Sequence, residues 1–328
     1  MKKIDVIIPA YNVPDKILFR CLSSITCQYN IDEIEIYLID DASTIENYQE
    51  IINYFKPITN IHLLRCKYNG GPGVARQYGI DNSKNPYIFF MDADDTLGDS
   101  FALNVLSYNL ELYNNAIISE GIIYEMNEDG IHFTTHEGHP SWVFGKLYKR
   151  DFLIKNNIRF HPASRLNEDA GFSLQINLLK TESDLKITSD VHVYNWHDNF
   201  NSLTHKNREA CWNAEITGHF YNYIENAIWA FSCVDPQTPG YAEQITFIMY
   251  FIYTYWLEVL NYLPEAAEEN LKYCKIFYDN FFIKYTNQVD FITHQYQLET
   301  SLNNAFKWNM ITDIKYDFNS FIEKLNGK

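Results

Sequence analysis

Acidic residues follow two apolar runs in the first third of the chain, where they could bind a cation or a polar ligand. Asp92 and Asp94 come after the run 87–91, and Asp40 and Asp41 close the run 33–39. Carboxylates two residues apart at a strand end can reach one ligand, and their hard oxygens suit Mg²⁺ or Mn²⁺, which bridge to phosphate groups. A solvated turn, or a helix cap by Asp95, explains the first pair alone equally simply.

A glycine-rich turn at residues 69–76 precedes a helical pattern. Its glycines allow close backbone approach, and the N-terminus of the following helix favours an anion. The spacing is neither that of a dinucleotide-binding fingerprint nor that of a Walker loop. A tight turn followed by a surface arginine, Arg76, fits the segment about as well as an anion-binding site does.

Two further candidate groups lie later in the chain. Glu168 and Asp169 begin a helical pattern that runs to residue 180. Acidic residues at a helix start usually cap the helix, but one of them could also be a general base that deprotonates a hydroxyl group. His197 follows Trp196 and could bind a metal ion or a phosphate, although a single histidine is more often structural.

The elements that would position these residues form a regular alternation. Apolar strands and helices alternate through residues 4–91, which predicts a parallel sheet with right-handed crossovers. Polar residues then meet just beyond the strand ends, where open α/β sheets bind ligands. A less regular mixed α/β stretch follows to about residue 202. From residue 206 the pattern is helical and rich in Tyr, Phe and Trp.

Composition limits the classes of partner and compartment. The 328 residues carry a formal charge of −16, so nucleic acid is an unfavourable partner and a diphosphate ligand would need a bridging cation. Six cysteines without a CxxC pair and an N-terminus without signal-peptide features are typical of a cytoplasmic protein. The apolar run 245–263 has one polar stripe and an internal Glu258, so we interpret it as a buried helix rather than a membrane span.

Taken in order, these segments resemble the inverting, family 2 glycosyltransferases with the GT-A fold, of the bacterial or phage type that transfers a single sugar. The resemblance extends from residue 1 to about residue 205. It rests on the segments 6–12, 40–43, 69–76, 89–95, 145–151, 167–169 and 201–204. It implies an α/β, Rossmann-like nucleotide-sugar-binding domain with a mixed sheet at 1–205, followed by a smaller α-helical domain at 206–328.

The resemblance also implies roles for individual residues. The nucleotide would be bound by Pro9, Tyr11, Asn12, Asp40, Asp41, Asn69, Gly73, Arg76 and Asp92. The metal, Mn²⁺ or Mg²⁺, would be bound chiefly by Asp94, together with Asp92 and His197. Arg76 would lie near the pyrophosphate or brace the acidic loops. Asp169 would be the catalytic base, supported by Glu168.

The expected reaction is transfer of one sugar from a nucleoside-diphosphate sugar, with UDP favoured, to a hydroxyl of a glycan, lipid-linked or polymer acceptor. The QxxRW motif of many processive family members is absent. Two other functions stay open, a nucleotidyltransferase on a related fold and a sugar-nucleotide or glycan-binding module without turnover. The helical domain would bind acceptor, form a homo-oligomer, contact a membrane surface peripherally or be purely structural.

Overall fold

A computed structural model describes residues 3–44, 48–126, 132–197, 211–307 and 311–327, with the side chains of 211–219 excepted. Its strands are β1 (Ile4–Ala10), β2 (Ile34–Asp40), β3 (Asn60–Arg65), β4 (Tyr87–Phe90), β5 (Thr96–Leu97), β6 (Ala116–Met126), β7 (Phe133–Glu137), β8 (Lys146–Lys149) and β9 (Leu185–Trp196). Its helices are α1 (Asp15–Thr26), α2 (Gln49–Phe55), α3 (Pro72–Asn82), α4 (Ala102–Leu112), α5 (Arg150–Lys155), α6 (Glu168–Leu179), α7 (Cys211–Ser232), α8 (Tyr241–Tyr262), α9 (Pro264–Phe277), α10 (Ile283–Tyr285), α11 (Phe291–Lys307) and α12 (Phe318–Leu325).

The described strands form one mixed sheet. Its order is β3-β2-β1-β4-β8-β6-β9-β5, with β7 paired to β6. The first four strands are parallel, as the alternation of strands and helices predicts. The sheet then turns antiparallel through β8, and β6 pairs with β8 in an antiparallel and with β9 in a parallel arrangement. The predicted Rossmann-like α/β fold with a mixed sheet is therefore confirmed.

Alternation along the strands divides the core between the two faces of the sheet. Ile4, Val6 and Ile8 of β1 lie in one buried cluster with apolar residues of α1, α2 and α4. Ile7 faces the opposite side, where a Cβ on Gly79 of α3 would approach its side chain to 2.3 Å. Glycine at this position therefore lets α3 pack directly on the sheet.

The face that carries α3 is extended by aromatic residues towards α6. Phe90 at the end of β4 packs edge-on against Phe160 and against Phe172 of α6. The rings of Phe160 and Phe172 stack with their centroids 4.3 Å apart. This packing fixes the start of α6, where Glu168 and Asp169 lie, relative to the end of β4.

The chain divides into two compact units. One comprises Met1–Ile176 with Lys180–Ser202, and the other Asn177–Leu179 with Leu203–Lys328. The second unit is helical, and its core contains Trp256 and Phe321, whose ring centroids lie 5.0 Å apart. The predicted helical C-terminal region is thus present. The segment 201–204 and the predicted boundary between residues 205 and 206 lie outside the described residues.

The apolar run 245–263 lies on α8, which buries residues around most of its circumference, among them Ile245, Met249, Ile252 and Trp256. In the part of the chain that the structure describes, no helix meets the length and hydropathy that spanning a bilayer requires. The interpretation of this run as a buried helix of a helical domain agrees with both observations.

Candidate active site

The carboxyl ends of β1, β2, β3 and β4 meet at one edge of the sheet, called the carboxyl edge below. Ala10 pairs with Asp40, and Asp40 with Arg65, at the last positions of their strands. The chain then continues from each strand into a loop that carries candidate residues. Parallel register therefore brings together segments that are up to about 80 residues apart in sequence.

Asp40 is bound within the turn that follows β2. Its Oδ1 accepts the Ser43 N–H at 2.8 Å, and its Oδ2 accepts a hydrogen bond from Arg65. Arg65 also donates to the Ser43 carbonyl at 2.8 Å. Asp40 is 5% exposed, so a buried carboxylate with two charge-assisted bonds stabilises this turn.

Asp41 joins the same turn to the glycine-rich turn. Its two carboxylate oxygens accept the N–H groups of Gly70 and Gly71 at 2.9 and 2.8 Å. Asp41 is itself 3% exposed. Gly71 has a φ of 90°, a left-handed conformation that favours glycine. Asp41 therefore sets the shape of the predicted phosphate-binding turn.

The turn after β1 also braces the loop after β2. Asn12 has a φ of 51°, and its Oδ1 accepts the Thr44 N–H at 2.8 Å. Its own N–H donates to Ser43 Oγ at 2.9 Å. Pro9 is half-buried within β1, while Tyr11 is 48% exposed at the carboxyl edge. Of these three predicted base-framing residues, Tyr11 presents the most surface to a ligand.

The glycine-rich turn is also packed against the segment that leads into α6. The Asn69 carbonyl accepts a hydrogen bond from Arg165 at 2.7 Å. A Cβ on Gly73 would lie 2.8 Å from Cγ of Glu168. Gly73 is therefore required for the close approach of α3 to Glu168. The sequence alone attributes this glycine to ligand binding and does not reveal the packing contact.

Arg76 of α3 bridges two acidic groups from different parts of the chain. Its Nη1 donates to Glu168 Oε1 at 2.6 Å, and its Nη2 donates to Asp92 Oδ1. Arg76 is 5% exposed and lies over the Phe160 ring. Burial alone would lower its pKa, but Asp92 and Glu168 more than offset this, so the pKa lies above its usual value. The alternative of a surface arginine is therefore wrong.

Glu168 and Asp169 occupy the first turn of α6, directly after Asn167 in a left-handed conformation. Burial raises the pKa of Glu168 even though Arg76 opposes the shift. Burial, and secondly the charge of Glu168, raises the pKa of Asp169 to about 7. Asp169 Oδ1 accepts the Ala170 N–H at 2.8 Å. Asp169 thus combines a capping contact with the pKa of a group that exchanges protons at neutral pH.

A buried carboxylate organises the turn 92–95. Asp95 is 1% exposed, and it accepts the hydroxyl of Tyr194 at 2.7 Å and the backbone N–H of His197 at 2.8 Å. The Asp92 N–H donates to the same Tyr194 hydroxyl at 3.0 Å. Asp95 therefore caps no helix. It joins the acidic turn to the end of β9 and thereby places Asp92 and His197 at one end of the sheet.

The three predicted metal ligands occupy this region, with different contacts. The backbone carbonyl of Asp94 accepts a hydrogen bond from Arg20 of α1. His197 Nε2 lies 2.9 Å from Thr96 Oγ1. Burial, and secondly Arg20, lowers the pKa of His197 to about 4, so its ring is neutral at pH 7, as a metal ligand must be. Within the described ranges no three His, Cys, Asp or Glu side chains are grouped to hold a metal ion.

Four residues of this site were not among the predicted ones. Arg65 donates a hydrogen bond to Asp40 in the turn after β2, and Asp95 accepts the His197 N–H from within the turn 92–95. Tyr194 and Arg20 contact the backbone of the turn 92–95. The chain offers one signal for Asp95, namely a third acidic residue directly after Asp92 and Asp94. Tyr194 carries no local signal, because its partners lie about 100 residues earlier in the chain.

Comparison with known proteins identifies the class that this fold and site define. Residues 5–166 match the sequence family described as "Glycosyl transferase family 2". This stretch contains β1 from its second residue, β2 to β8, and every candidate residue except Glu168, Asp169 and His197. Residues 5–166 form a glycosyl transferase family 2 domain.

Among its relatives is a poly(ribitol-phosphate) beta-glucosyltransferase from Bacillus spizizenii, 29% identical over 58% of this chain and 32% of that protein. Another is the poly(ribitol-phosphate) beta-N-acetylglucosaminyltransferase TarP from Staphylococcus aureus, 27% identical over 62% of this chain and 66% of that protein. The matches therefore span from about a third to just under two thirds of these relatives' lengths.

Solved structures show the same fold. The crystal structure of S. aureus TarS 1–349 in complex with UDP-GlcNAc matches 94% of this chain and 92% of that chain, with a TM-score of 0.53 and 16% identity. A further crystal structure of TarS 1–349 gives a TM-score of 0.51 over 96% of this chain and 94% of that chain, also at 16% identity. At this identity the match shows the fold, which agrees with the expected GT-A architecture.

Proposed function

We propose that the chain is an inverting glycosyltransferase that moves one sugar from a nucleoside-diphosphate sugar to an acceptor hydroxyl, with Asp169 as general base. Membership of family 2 supports the reaction class. The observation that carries the proposal is the contact of one buried guanidinium, that of Arg76, with both Asp92 and Glu168. This contact links the carboxyl edge to the helix start that bears Asp169.

The donor is a UDP-sugar in this proposal. TarS, which shares the fold, has been crystallised with UDP and with UDP-GlcNAc, and this supports the choice of base. In this chain Tyr11 offers an exposed ring to a nucleobase at the carboxyl edge. Asp41 binds the N–H groups of Gly70 and Gly71 and thereby holds the glycine-rich turn in place. It positions Asn69 and Gly73 of the same turn through these contacts.

The residue types at the turn 92–95 suit a divalent cation, Mn²⁺ or Mg²⁺, although Asp92, Asp94 and His197 are not grouped to hold one in this structure. Asp94 and Asp92 supply hard carboxylate oxygens, and His197 supplies a neutral imidazole. Such an ion, when bound, would neutralise charge that develops on the departing nucleoside diphosphate.

The chemical step then follows from Asp169. Its carboxylate takes the proton of the acceptor hydroxyl as that oxygen attacks the anomeric carbon. The bond from the anomeric carbon to the diphosphate oxygen breaks on the opposite face of the sugar, and the configuration inverts. A pKa of about 7 lets roughly half of the Asp169 groups act as base at neutral pH. Glu168 and Arg76 are positioning residues in this scheme, because they act through Asp169 and Asp92.

The acceptor class is a glycan, a lipid-linked saccharide or a polymer. The two relatives named for poly(ribitol phosphate) make that polymer one acceptor to test beside pyranose-containing glycans. A nucleotidyltransferase and a binding module without turnover are the competing functions. The match to glycosyl transferase family 2 favours sugar transfer over both.

A thermal-shift panel of nucleoside diphosphates and nucleotide sugars, each with and without Mn²⁺, tests the donor site. A ligand at about a hundred times its dissociation constant adds roughly 2.7 kcal/mol to the free energy of unfolding. We expect a Mn²⁺-dependent shift with UDP and a larger shift with one UDP-sugar. Asp94→Ala should lose the metal dependence, while Asp99→Asn, an exposed acid nearby, should keep it. No shift with any nucleotide would contradict the proposal.

A further inference from the structure

Four aromatic rings, called the aromatic stack below, run from the turn 92–95 to the loop before β8. Tyr194 stacks on Phe144 at 4.7 Å between centroids, and Phe144 stacks on Trp142 at 5.2 Å. Trp142 stacks on His139 at 3.8 Å with an angle of 14°. Tyr194 and Phe144 are buried, whereas Trp142 and His139 are half-buried. His139 is therefore the last ring of the stack, and Trp142 lies between His139 and Phe144.

A buried lysine binds the backbone of the loop that carries this end of the aromatic stack. Lys146 is 5% exposed, and its Nζ donates to the carbonyls of His139 and Trp142 at 2.5 and 2.7 Å. The loop is bounded by Gly138 and Gly145, with φ of 64° and 70°. A Cβ on Gly138 would lie 2.8 Å from Oε1 of the buried Glu120. The two half-buried rings are thus presented on a fixed backbone.

The backbone also fixes the proton position on His139. Its Nδ1 lies 3.3 Å from the backbone nitrogens of Ser141 and Trp142, so Nδ1 accepts and the ring proton is on Nε2. Burial, and secondly Lys146, lowers the pKa of His139 to about 4. Across the described ranges no group accepts a hydrogen bond from Nε2. His139 therefore presents a neutral ring with one available N–H donor.

The aromatic stack extends from the turn 92–95 to the loop that contacts α6. At its buried end, the Tyr194 hydroxyl contacts Asp95 and the Asp92 N–H. At the loop, the Ser141 carbonyl accepts the hydroxyl of Ser173 at 2.8 Å. Ser173 follows Asp169 by four residues on α6, so both side chains lie on the same side of the helix. The exposed end of the stack is thereby tied to the helix that carries the proposed base.

The chemistry of this end suits a sugar ring. The C–H face of a pyranose packs on a flat aromatic surface, and its hydroxyls accept hydrogen bonds from neutral N–H groups. An anionic group finds less to bind here, because the Lys146 ammonium is engaged by two carbonyls. We propose that the outer face of His139, held in place by Trp142 behind it, binds one pyranose ring of a glycan acceptor, next to the hydroxyl that Asp169 deprotonates. This subsite rests on the proposed function.

The chain offers a matched control on the neighbouring β6–β7 hairpin. Phe133 stacks on Tyr124 at 4.0 Å and is 47% exposed. Tyr124 and Glu125 are consecutive on β6 and point to opposite faces of the sheet. Glu125 contacts His136, which packs edge-on against Trp142. Phe133 is therefore an exposed, stacked aromatic residue on the other face.

Saturation-transfer NMR with methyl β-D-glucopyranoside and methyl N-acetyl-β-D-glucosaminide tests this subsite without any donor. We expect signals from the ring C–H groups of at least one probe with the unmodified protein and with Phe133→Ala. Trp142→Ala should weaken binding about tenfold. His139→Asn should weaken it as well, because Asn retains an oxygen near Nδ1 but loses the ring and the Nε2–H. If Trp142→Ala does not fold, His139→Asn decides.

The proposal is overturned if neither probe binds the unmodified protein, or if both variants bind as the unmodified protein does. The outcome is separable from that of the donor panel. Saccharide signals that depend on Trp142, together with no response to any nucleotide, would support the subsite and overturn the proposed transfer. A thermal shift with UDP, together with probe binding that is unchanged in Trp142→Ala, would support the proposed transfer and overturn the subsite.

Discussion

Two pairs of adjacent acidic residues in the first unit have opposite surroundings. Asp41 gives both carboxylate oxygens to backbone N–H groups, and Asp40 is bound by Arg65 and the Ser43 N–H. Asp169 has one short contact, to the Ala170 N–H, and shares a desolvated helix start with Glu168. In sequence the two pairs look alike, because the first could be a polar turn and the second a helix cap.

The difference shows how backbone donors and a neighbouring carboxylate act in opposite directions on a carboxyl group. Donors that point at a carboxylate stabilise its charge and fix the backbone around it. Burial beside another carboxylate favours the protonated form and raises the pKa. The Asp40–Asp41 pair therefore shapes the carboxyl edge, and Asp169 can take and release a proton.

The largest effect is expected from removing the proposed base. Asp169→Asn should lower the rate of transfer by a factor on the order of 10² to 10⁴, because the amide cannot accept the proton. UDP binding in the thermal-shift assay should be unchanged, since Asp169 does not contact the carboxyl edge directly. Asp151→Asn, an exposed acid in the first turn of α5, is the control. Near-normal turnover by Asp169→Asn would show that another group is the base.

Arg76→Lys tests the two ion pairs through which Arg76 joins Asp92 to Glu168. A single ammonium cannot reproduce the two contacts of the guanidinium, so Asp92 or Glu168 would remain buried without a partner. We expect a loss of roughly 3 kcal/mol in the free energy of unfolding, measured by urea denaturation. Arg159→Lys is the comparison, because the exposed Arg159–Asp81 pair should contribute about 1 kcal/mol or less. Equal losses in both variants would argue against the bridge.

Asp41→Ala should act through the glycine-rich turn. It leaves the N–H groups of Gly70 and Gly71 without their acceptor, which should cost about 1–3 kcal/mol of unfolding free energy and weaken UDP binding. Transfer at saturating donor should fall much less than in Asp169→Asn. Asp32→Ala, an exposed acid before β2, should change neither quantity. A loss of turnover at saturating donor would mean that the two pairs do not differ as described.

The last expected effect is on the dependence of heat stability on pH. The folded-state pKa of Asp169 is raised to about 7, above an unfolded value of about 3.9, so folding favours the protonated form. Stability from this group is full below pH 4 and is lost as pH rises through 7. Asp169→Asn should therefore melt higher than the unmodified protein at pH 8, and the difference should shrink towards pH 4. A constant difference in melting temperature would contradict the raised pKa.

Much of the fold followed from sequence patterns, because periodicity reports on local structure and burial. Alternating apolar strands and helices predicted the parallel half of the sheet, and the helical pattern after residue 206 predicted α7 to α9. A mixed sheet was expected, but the sequence patterns did not locate the change to antiparallel pairing at β8, since β8 has only four residues and pairs with strands distant in sequence.

For the site, the sequence singled out many of the residues but did not predict which contacts they make. Asp41 was expected to accept from a base, and Gly73 to bind a nucleotide, yet their contacts here are with Gly70, Gly71 and Glu168. Tyr194 was not singled out, because its role depends on its approach to Asp92 and Asp95. Such roles depend on tertiary proximity, which no local pattern encodes. The metal roles of Asp92, Asp94 and His197 remain predictions.

A ¹³C NMR titration of the aspartate carboxyl groups tests the central claim, that Asp169 exchanges a proton near neutral pH, most directly. Asp169→Asn identifies its resonance, and Glu168→Gln removes the neighbouring charge. We predict one aspartate resonance that titrates at about pH 7, is absent from Asp169→Asn, and moves to lower pH in Glu168→Gln. A titration of Asp169 near pH 4, unaffected by Glu168→Gln, would contradict the account.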